Sequence, residues 1–385
     1  NNLNVTGTLG LNTTNITGVG AFDIDGLTTI ADGITAVIDS GTGTGNIDLA
    51  AVTAGDAVGQ NLSLDAGTNN DADITIAGTV TNIDTLLITA AGQLTLGGAV
   101  TVDTLNISAL VGDVTWQTGG TIANAVTLAN TTGGLGSSVT KIGAAGITTN
   151  FTGGLTTTTG ASQEIGGTIA AVDNNIVISD GEVITLNSNT TLSSIGAGAD
   201  GNDGDITLGG TVNSSTDNSD RTLTVNVGQG DFLISGAVGG TTDRELGAID
   251  INNSGTGNFD LNAVITGAAS IDVAGLSNLG KGVTTSGDQV YNGNATISGN
   301  TGINFTGGTV SFLGTVAGDG GNDEAVTITG DAIFGNATTD TVTGLKSLVV
   351  TGDTTIETTT ITTVDAQTYG NATSDTLTLG TNVVM

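Results

Sequence analysis

The chain has 385 residues, with 5 Lys and Arg against 37 Asp and Glu for a formal net charge of −32, 64 Gly, and no Pro, Cys or His. Without His or Cys there is no Ser-His-Asp triad, no thiol nucleophile, no imidazole or thiolate metal site and no disulfide. The five cations (Lys141, Arg221, Arg244, Lys281 and Lys346) are too scattered to form a patch, so neither nucleic acid nor an anionic membrane surface is an expected partner.

Aromatic residues make up 3% of the chain and charged residues 11%, and the mean hydropathy is +0.22, so there is apolar surface to bury and a thin aliphatic core to expect rather than disorder. The opening NNLNVTGTLG lacks the basic and apolar regions of a signal peptide. No run approaches the ~20 apolar residues of a membrane span, so direct membrane insertion is not expected. The chain reads as one continuous segment, 1–385, of a longer exported protein, and the lack of Cys fits an extracellular product made without disulfides.

The first repeat unit in chain order is Gly45-Asn-Ile-Asp-Leu-Ala-Ala-Val52. Next, Ile74-Thr-Ile76, Leu94-Thr-Leu96 and Val114-Thr-Trp116 recur at steps of 20 residues, each introduced by a polar residue (Asp73, Gln93, Asp113). A second strand follows as Leu86-Leu-Ile88, Leu105-Asn-Ile107 and Val126-Thr-Leu128. Downstream the unit returns at Gly204–Val212, Gly230–Val238 and Gly257–Leu261 with longer steps, the added residues being the polar insertions 214–220 and 240–245.

Every candidate strand is short, alternates apolar with Thr, Ser, Asn or Asp, and stops at Gly or Asn, the period-two signature. Thr and Val favour the pleated backbone and Gly penalises helix, so no helix is expected. A unit of about 20–27 residues is too small to bury its own apolar face and must stack on its neighbours. The fold class is therefore all-β, a parallel β-helix (β-solenoid) whose rungs lie ~4.8 Å apart. About 14–19 rungs would make a rod on the order of 70–90 Å long, with stacked Ile, Leu and Val in an interior too narrow for large rings. Absence of Pro agrees with strands that donate to a neighbour on each side.

Three strings carry a resemblance: GDITLGGTV (204–212), TLTVNVGQGDFLISGAVGGTTDRELGAIDINNSGTGNF (222–259) and GVTTSGDQVYNGNATISGNTGINFTGGTV (282–310). Together they are similar to the repeat region of filamentous-haemagglutinin-like large exoproteins and giant bacterial adhesins. The last string has a partial copy with Gln367 and Tyr369 in place of Gln289 and Tyr291, and a weak echo at Gln163. The resemblance implies a right-handed parallel β-helical stalk, secreted or displayed on a bacterial cell surface, and engaged in adhesion, cell contact or matrix assembly.

Two acidic, Gly-rich loops are candidate calcium sites: Asp200, Asn202, Asp203 and Asp205, and Asp319, Asn322 and Asp323. Several hard oxygens on a tight turn suit Ca²⁺, although neither loop has the tandem copy that calcium-dependent β-rolls use; a solvated turn is the default, and no other cofactor is expected. A polysaccharide-active site would need paired carboxylates with a cation, and Asp203, Asp205, Asp231 and Arg221 are the set to test. The negative charge and the shortage of aromatic platforms argue against it, and the chain is not expected to be an enzyme. Trp116 takes the place of Ile76 and Leu96 and is expected to pack, a sugar-binding ring being the alternative.

The function expected is a structural stalk of a surface adhesin, a spacer presenting loops to host, neighbouring-cell or matrix molecules. The alternative is an extracellular fibre, sheath or surface-layer component that associates end to end through uncovered strand edges.

Overall fold

The computed structural model describes the chain except residues 1, 19, 42–44, 56–58, 68–71, 109, 111, 130–137, 159–160, 179–181, 197–200, 216–219, 241–242, 300–301, 322 and 381. The chain divides into two compact units, Asn1–Ser193 and Ser194–Met385. Strands are the only regular elements among the described residues, and the pairings between them are parallel. The fold is a parallel β-solenoid, and the strands make about 15 turns in all.

In the first unit, strands Ile74–Ile76, Leu94–Leu96 and Val114–Trp116 lie in register, with Leu94 between Ile74 and Val114, and Leu96 between Ile76 and Trp116. The 20-residue step read from the sequence is thus a physical turn of the coil. Within each of these strands the outer two residues are buried and the middle Thr is half-buried. Burying a Leu, Ile or Val fully contributes about 1.5–3 kcal/mol, and the same position is refilled in every rung. The second strands follow suit: Leu86 and Ile88 lie against Leu105 and Ile107. Val126–Ala129, by contrast, is paired with Leu155–Thr158.

In the second unit, Ile206–Leu208, Phe232–Ile234 and Asn258–Leu261 stack at the steps expected, with Ile206 against Phe232 and Phe232 against Phe259. Rung-to-rung steps spread beyond 20–27, from 18 residues between Asp260 and Asn278, through 29 between Thr121 and Asn150, to the 32 that separate the Ser194 N–H from the Asn226 carbonyl it reaches. The strands stay paired, so the connecting segments absorb most of the difference, and β-bulges such as those between Val100 and Val102 and between Ile165 and Gly167 take up the rest.

The expectation that large rings would not fit inside is corrected. All seven Phe and Trp116 are buried, and so is Tyr291. Tyr291, Phe312 and Phe334 occupy one position in three consecutive rungs and stack with centroids 4.9 and 6.2 Å apart. Phe232 and Phe259 stack at 5.6 Å. Offset-stacked rings prefer centroids ~4.5–7 Å apart and rungs repeat at ~4.8 Å, so a column of rings matches the coil's own spacing. In the first unit Trp116 meets Phe151 edge-on at 5.2 Å and donates its indole N–H to the Gly119 carbonyl at 2.9 Å, which satisfies its one polar atom.

Many a polar residue that introduces a strand has a role that composition did not disclose. Its side-chain oxygen accepts the backbone N–H of the residue stacked on it in the next rung. Asp73 takes that of Gln93 at 3.0 Å and Asp113 that of Val139 at 2.8 Å. Asp205 takes that of Asp231, and Asp231 that of Asn258, each at 2.9 Å. Asp331 and Asp353 repeat the arrangement at 2.9 and 2.7 Å. An amide at a strand edge is thereby satisfied without a ladder partner, each such bond contributing ~1 kcal/mol net. At the strand ends Asp39 and Asp65 instead fold onto the N–H of Gly41 and Gly67, whose φ values of 82° and 85° suit glycine.

Candidate functional site

The two acidic loops differ in what their carboxylates do. In the first, Asp200 lies outside the described residues, and Asn202 and Asp205 are exposed. Asp203 accepts the N–H of Gly196 at 3.0 Å with one oxygen and that of Gln229 at 2.8 Å with the other. Asp205 is the rung acceptor for Asp231. These carboxylates serve the backbone of their own and the adjacent rung.

The same geometry bears on the set Asp203, Asp205, Asp231 and Arg221. Its three carboxylates each accept main-chain N–H groups, while Arg221 donates Nε–H to Ser215 at 3.4 Å. The arrangement holds strands in register. The one ion pair among the described residues joins Lys141 to Glu164 at 3.3 Å, side chains stacked on neighbouring rungs. The insertions 214–220 and 240–245 lie partly outside the described residues; of their described parts, Asp220, Asp243 and Glu245 are exposed and Ser214 is buried.

The second loop is built differently. It runs from the end of strand Val316–Gly318 to the start of Ala325–Phe334, and Asn322 lies outside the described residues. Gly320 has φ +112°, and Gly318 leaves no room for a Cβ, which would sit 2.6 Å from Glu324 Oε2. These glycines bring the carboxylates of Asp319, Asp323 and Glu324 together, with one oxygen from each within 4.8 Å of the others. This is the one such group of three among the described residues.

Asp319 and Asp323 are exposed, and Asp319 accepts the Gly321 N–H at 3.1 Å. Glu324 is fully buried, and neither of its carboxylate oxygens has a hydrogen bond of good geometry. Its main-chain carbonyl accepts the N–H of Lys346 in the next rung at 2.9 Å, which fixes the residue in place. Burial first, and then the neighbouring Asp319, raise the Glu324 carboxyl above its ordinary value of 4.5, while the main-chain N–H groups of Glu324 itself and of Asp319 act to lower it. Asp319 is lowered by its interaction with Glu324 and by the Gly321 N–H.

Reading the loop as Asp319, Asn322 and Asp323 missed Glu324, the residue that makes the group unusual. Glu324 directly precedes a strand, where the repeat pattern marks a rung acceptor. Its burial depends on the adjacent rung.

Comparison of the chain with known protein families, with curated proteins and with solved structures found no match.

Proposed function

We propose that the chain is a structural repeat segment of a secreted or surface-displayed bacterial protein, an adhesin stalk that acts as a spacer and presents loops to host, neighbouring-cell or matrix molecules. The observation that carries this reading is the rung-by-rung register within each unit, where main-chain bonds, a stacked core and carboxylate acceptors recur from turn to turn. Such a scaffold tolerates changes in the rung-to-rung step, from 18 to 32 residues, while its strands stay paired. The strings at 204–310 that are similar to haemagglutinin-like exoproteins support the surface location. A net charge of −32 keeps neighbouring copies apart in solution.

The test is attachment. Displayed on a non-adherent bacterium, the chain should confer binding to cells or matrix. Shortening the insertions 214–220 and 240–245 should remove that binding while the far-ultraviolet circular dichroism stays that of a β-protein. Binding that survives loss of both insertions would overturn the placement of the contact surface, and no binding to any surface would overturn the adhesin reading.

A self-assembling fibre, sheath or surface-layer component is the second reading, favoured by aspartates stacked directly on one another: Asp23 on Asp48, Asp39 on Asp65, and Asp250 on Asp272. Burial, and then the charges of Asp23 and Asp73, raise the Asp48 carboxyl, against a hydrogen bond from Thr75 that lowers it. Divalent cations relieve such repulsion within and between copies. On this reading, calcium assembles the chain into sedimenting material and a chelator dissolves it.

A further inference from the structure

We propose that Asp319, Asp323 and Glu324 bind a calcium ion that ties the loop between Gly318 and Ala325 to the body of the second unit. Two independent observations meet here. Three carboxylates converge with one oxygen of each within 4.8 Å of the others, and Glu324 is fully buried with no hydrogen bond of good geometry to either carboxylate oxygen. A buried carboxylate left without a donor is costly and is ordinarily paired, protonated or bound to a metal. No Lys or Arg neutralises it, since the single ion pair among the described residues is Lys141 with Glu164.

The flexibility of the shell selects the ion. Calcium takes six to eight oxygens at ~2.3–2.6 Å in adaptable geometry, so three carboxylates suffice and the rest of its shell is completed by water and carbonyl groups. Magnesium demands a near-ideal octahedron at ~2.0–2.1 Å and gives up water reluctantly, which suits a loop with two exposed carboxylates less well. A side chain at Gly318 would strike the Gly344 carbonyl of the adjacent rung and the Glu324 carboxylate alike. The rival to a cation is a proton shared by Asp319 and Glu324.

Calorimetric titration of the full chain with CaCl2 and with MgCl2 at neutral pH, alongside thermal unfolding in EDTA and in calcium, separates these. Calcium should bind and raise the unfolding temperature, because a ligand that binds only the folded state stabilises it by mass action. Asp319→Asn combined with Asp323→Asn should abolish one calcium equivalent, whereas Asp203→Asn should leave that equivalent intact. Glu324→Gln keeps the buried volume and removes the charge. It should unfold no earlier than the parent in EDTA yet earlier than the parent in calcium, and this reversal of order is the signature of a cation on Glu324. If Glu324→Gln and the parent gain equally from calcium, or if calcium neither binds nor shifts unfolding, the site is a proton-sharing pair and the proposal falls. A magnesium response equal to that of calcium would overturn the choice of ion.

Discussion

The segments Val283–Tyr291 and Ile361–Tyr369 share one pattern, an apolar residue, two Thr, three variable residues, then Gln-x-Tyr, and they build the same local structure. Thr285 donates its hydroxyl to the Gly287 carbonyl at 2.7 Å, and Thr363 to that of Asp365 at 2.6 Å. Gln289 Nε2 reaches back to the Val283 carbonyl at 3.2 Å, and Gln367 Nε2 to that of Ile361 at 3.0 Å. In each, the tyrosine hydroxyl donates to the glutamine Oε1, at 3.4 Å from Tyr291 and 2.9 Å from Tyr369.

What differs is the company. Strand Gln289–Tyr291 is paired on both sides, with Ile271–Val273 and Val310–Phe312, and Gln289 gains a further bond to the Thr306 carbonyl at 2.9 Å. Tyr291 is sealed between rungs, against Phe305 and Phe312. Gln367–Tyr369 is paired with Leu348–Val350, no other pairing of it exists among the described residues, and both side chains stay half-exposed. The motif is thus a self-contained polar clasp, and its burial is supplied by the rung stacked on top.

Replacing the two tyrosines breaks the comparison most strongly. Tyr291→Ala should destabilise by about 3–5 kcal/mol, the cost of emptying an aromatic site in a packed core, whereas Tyr369→Ala should cost no more than about 1 kcal/mol. Chemical denaturation of the two variants checks this, and equal losses would contradict the role given to the covering rung. Next in size, Gln289→Ala removes a donor to the buried Val283 carbonyl and a second donor to the Thr306 carbonyl, which the Thr285 N–H also reaches at 2.8 Å, and should cost about 1–3 kcal/mol. Gln367→Ala removes one donor carried by a half-exposed side chain and should cost less, about 0.5–1.5 kcal/mol.

Alkaline titration followed by tyrosinate absorbance sharpens the contrast without mutation, since the chain has just two Tyr. Burial pushes the Tyr369 hydroxyl up to about 12 and the Tyr291 hydroxyl higher still. Tyr369 should ionise near that value in the folded chain, and Tyr291 only as the chain unfolds. The linkage has a definite sign. A phenol raised on folding binds its proton more tightly in the native state, so stability falls as pH rises above the ordinary value of 10.0 and keeps falling through the folded value. A single titration step for both residues at the lower pH would show Tyr291 to be open to solvent.

Several features were legible because they are written within a few residues. The alternation in Ile74-Thr-Ile76 and its copies announces strands, and a 20-residue recurrence announces parallel stacking. Packing of Trp116 followed from its place after Ile76 and Leu96. Other features were illegible for a physical reason. Asp73 and Asp113 read as generic polar punctuation, because the amides they accept belong to residues a full turn later in the chain. Asp203 looks like an ion ligand within its loop and is a main-chain acceptor once Gln229 lies beside it.

The sequence by itself determined the strand period, the turn chemistry and the repeat that makes each rung insufficient alone, since these depend on backbone preferences and on apolar spacing within one turn. Only the tertiary structure decided that rings stack along the core, that most strand-leading carboxylates hold neighbouring rungs, and that Glu324 and Tyr291 are enclosed while Asp319 and Tyr369 meet water. Each of those outcomes depends on which atoms a neighbouring rung brings to within a few ångströms, and the chain reaches that rung only after travelling around the coil.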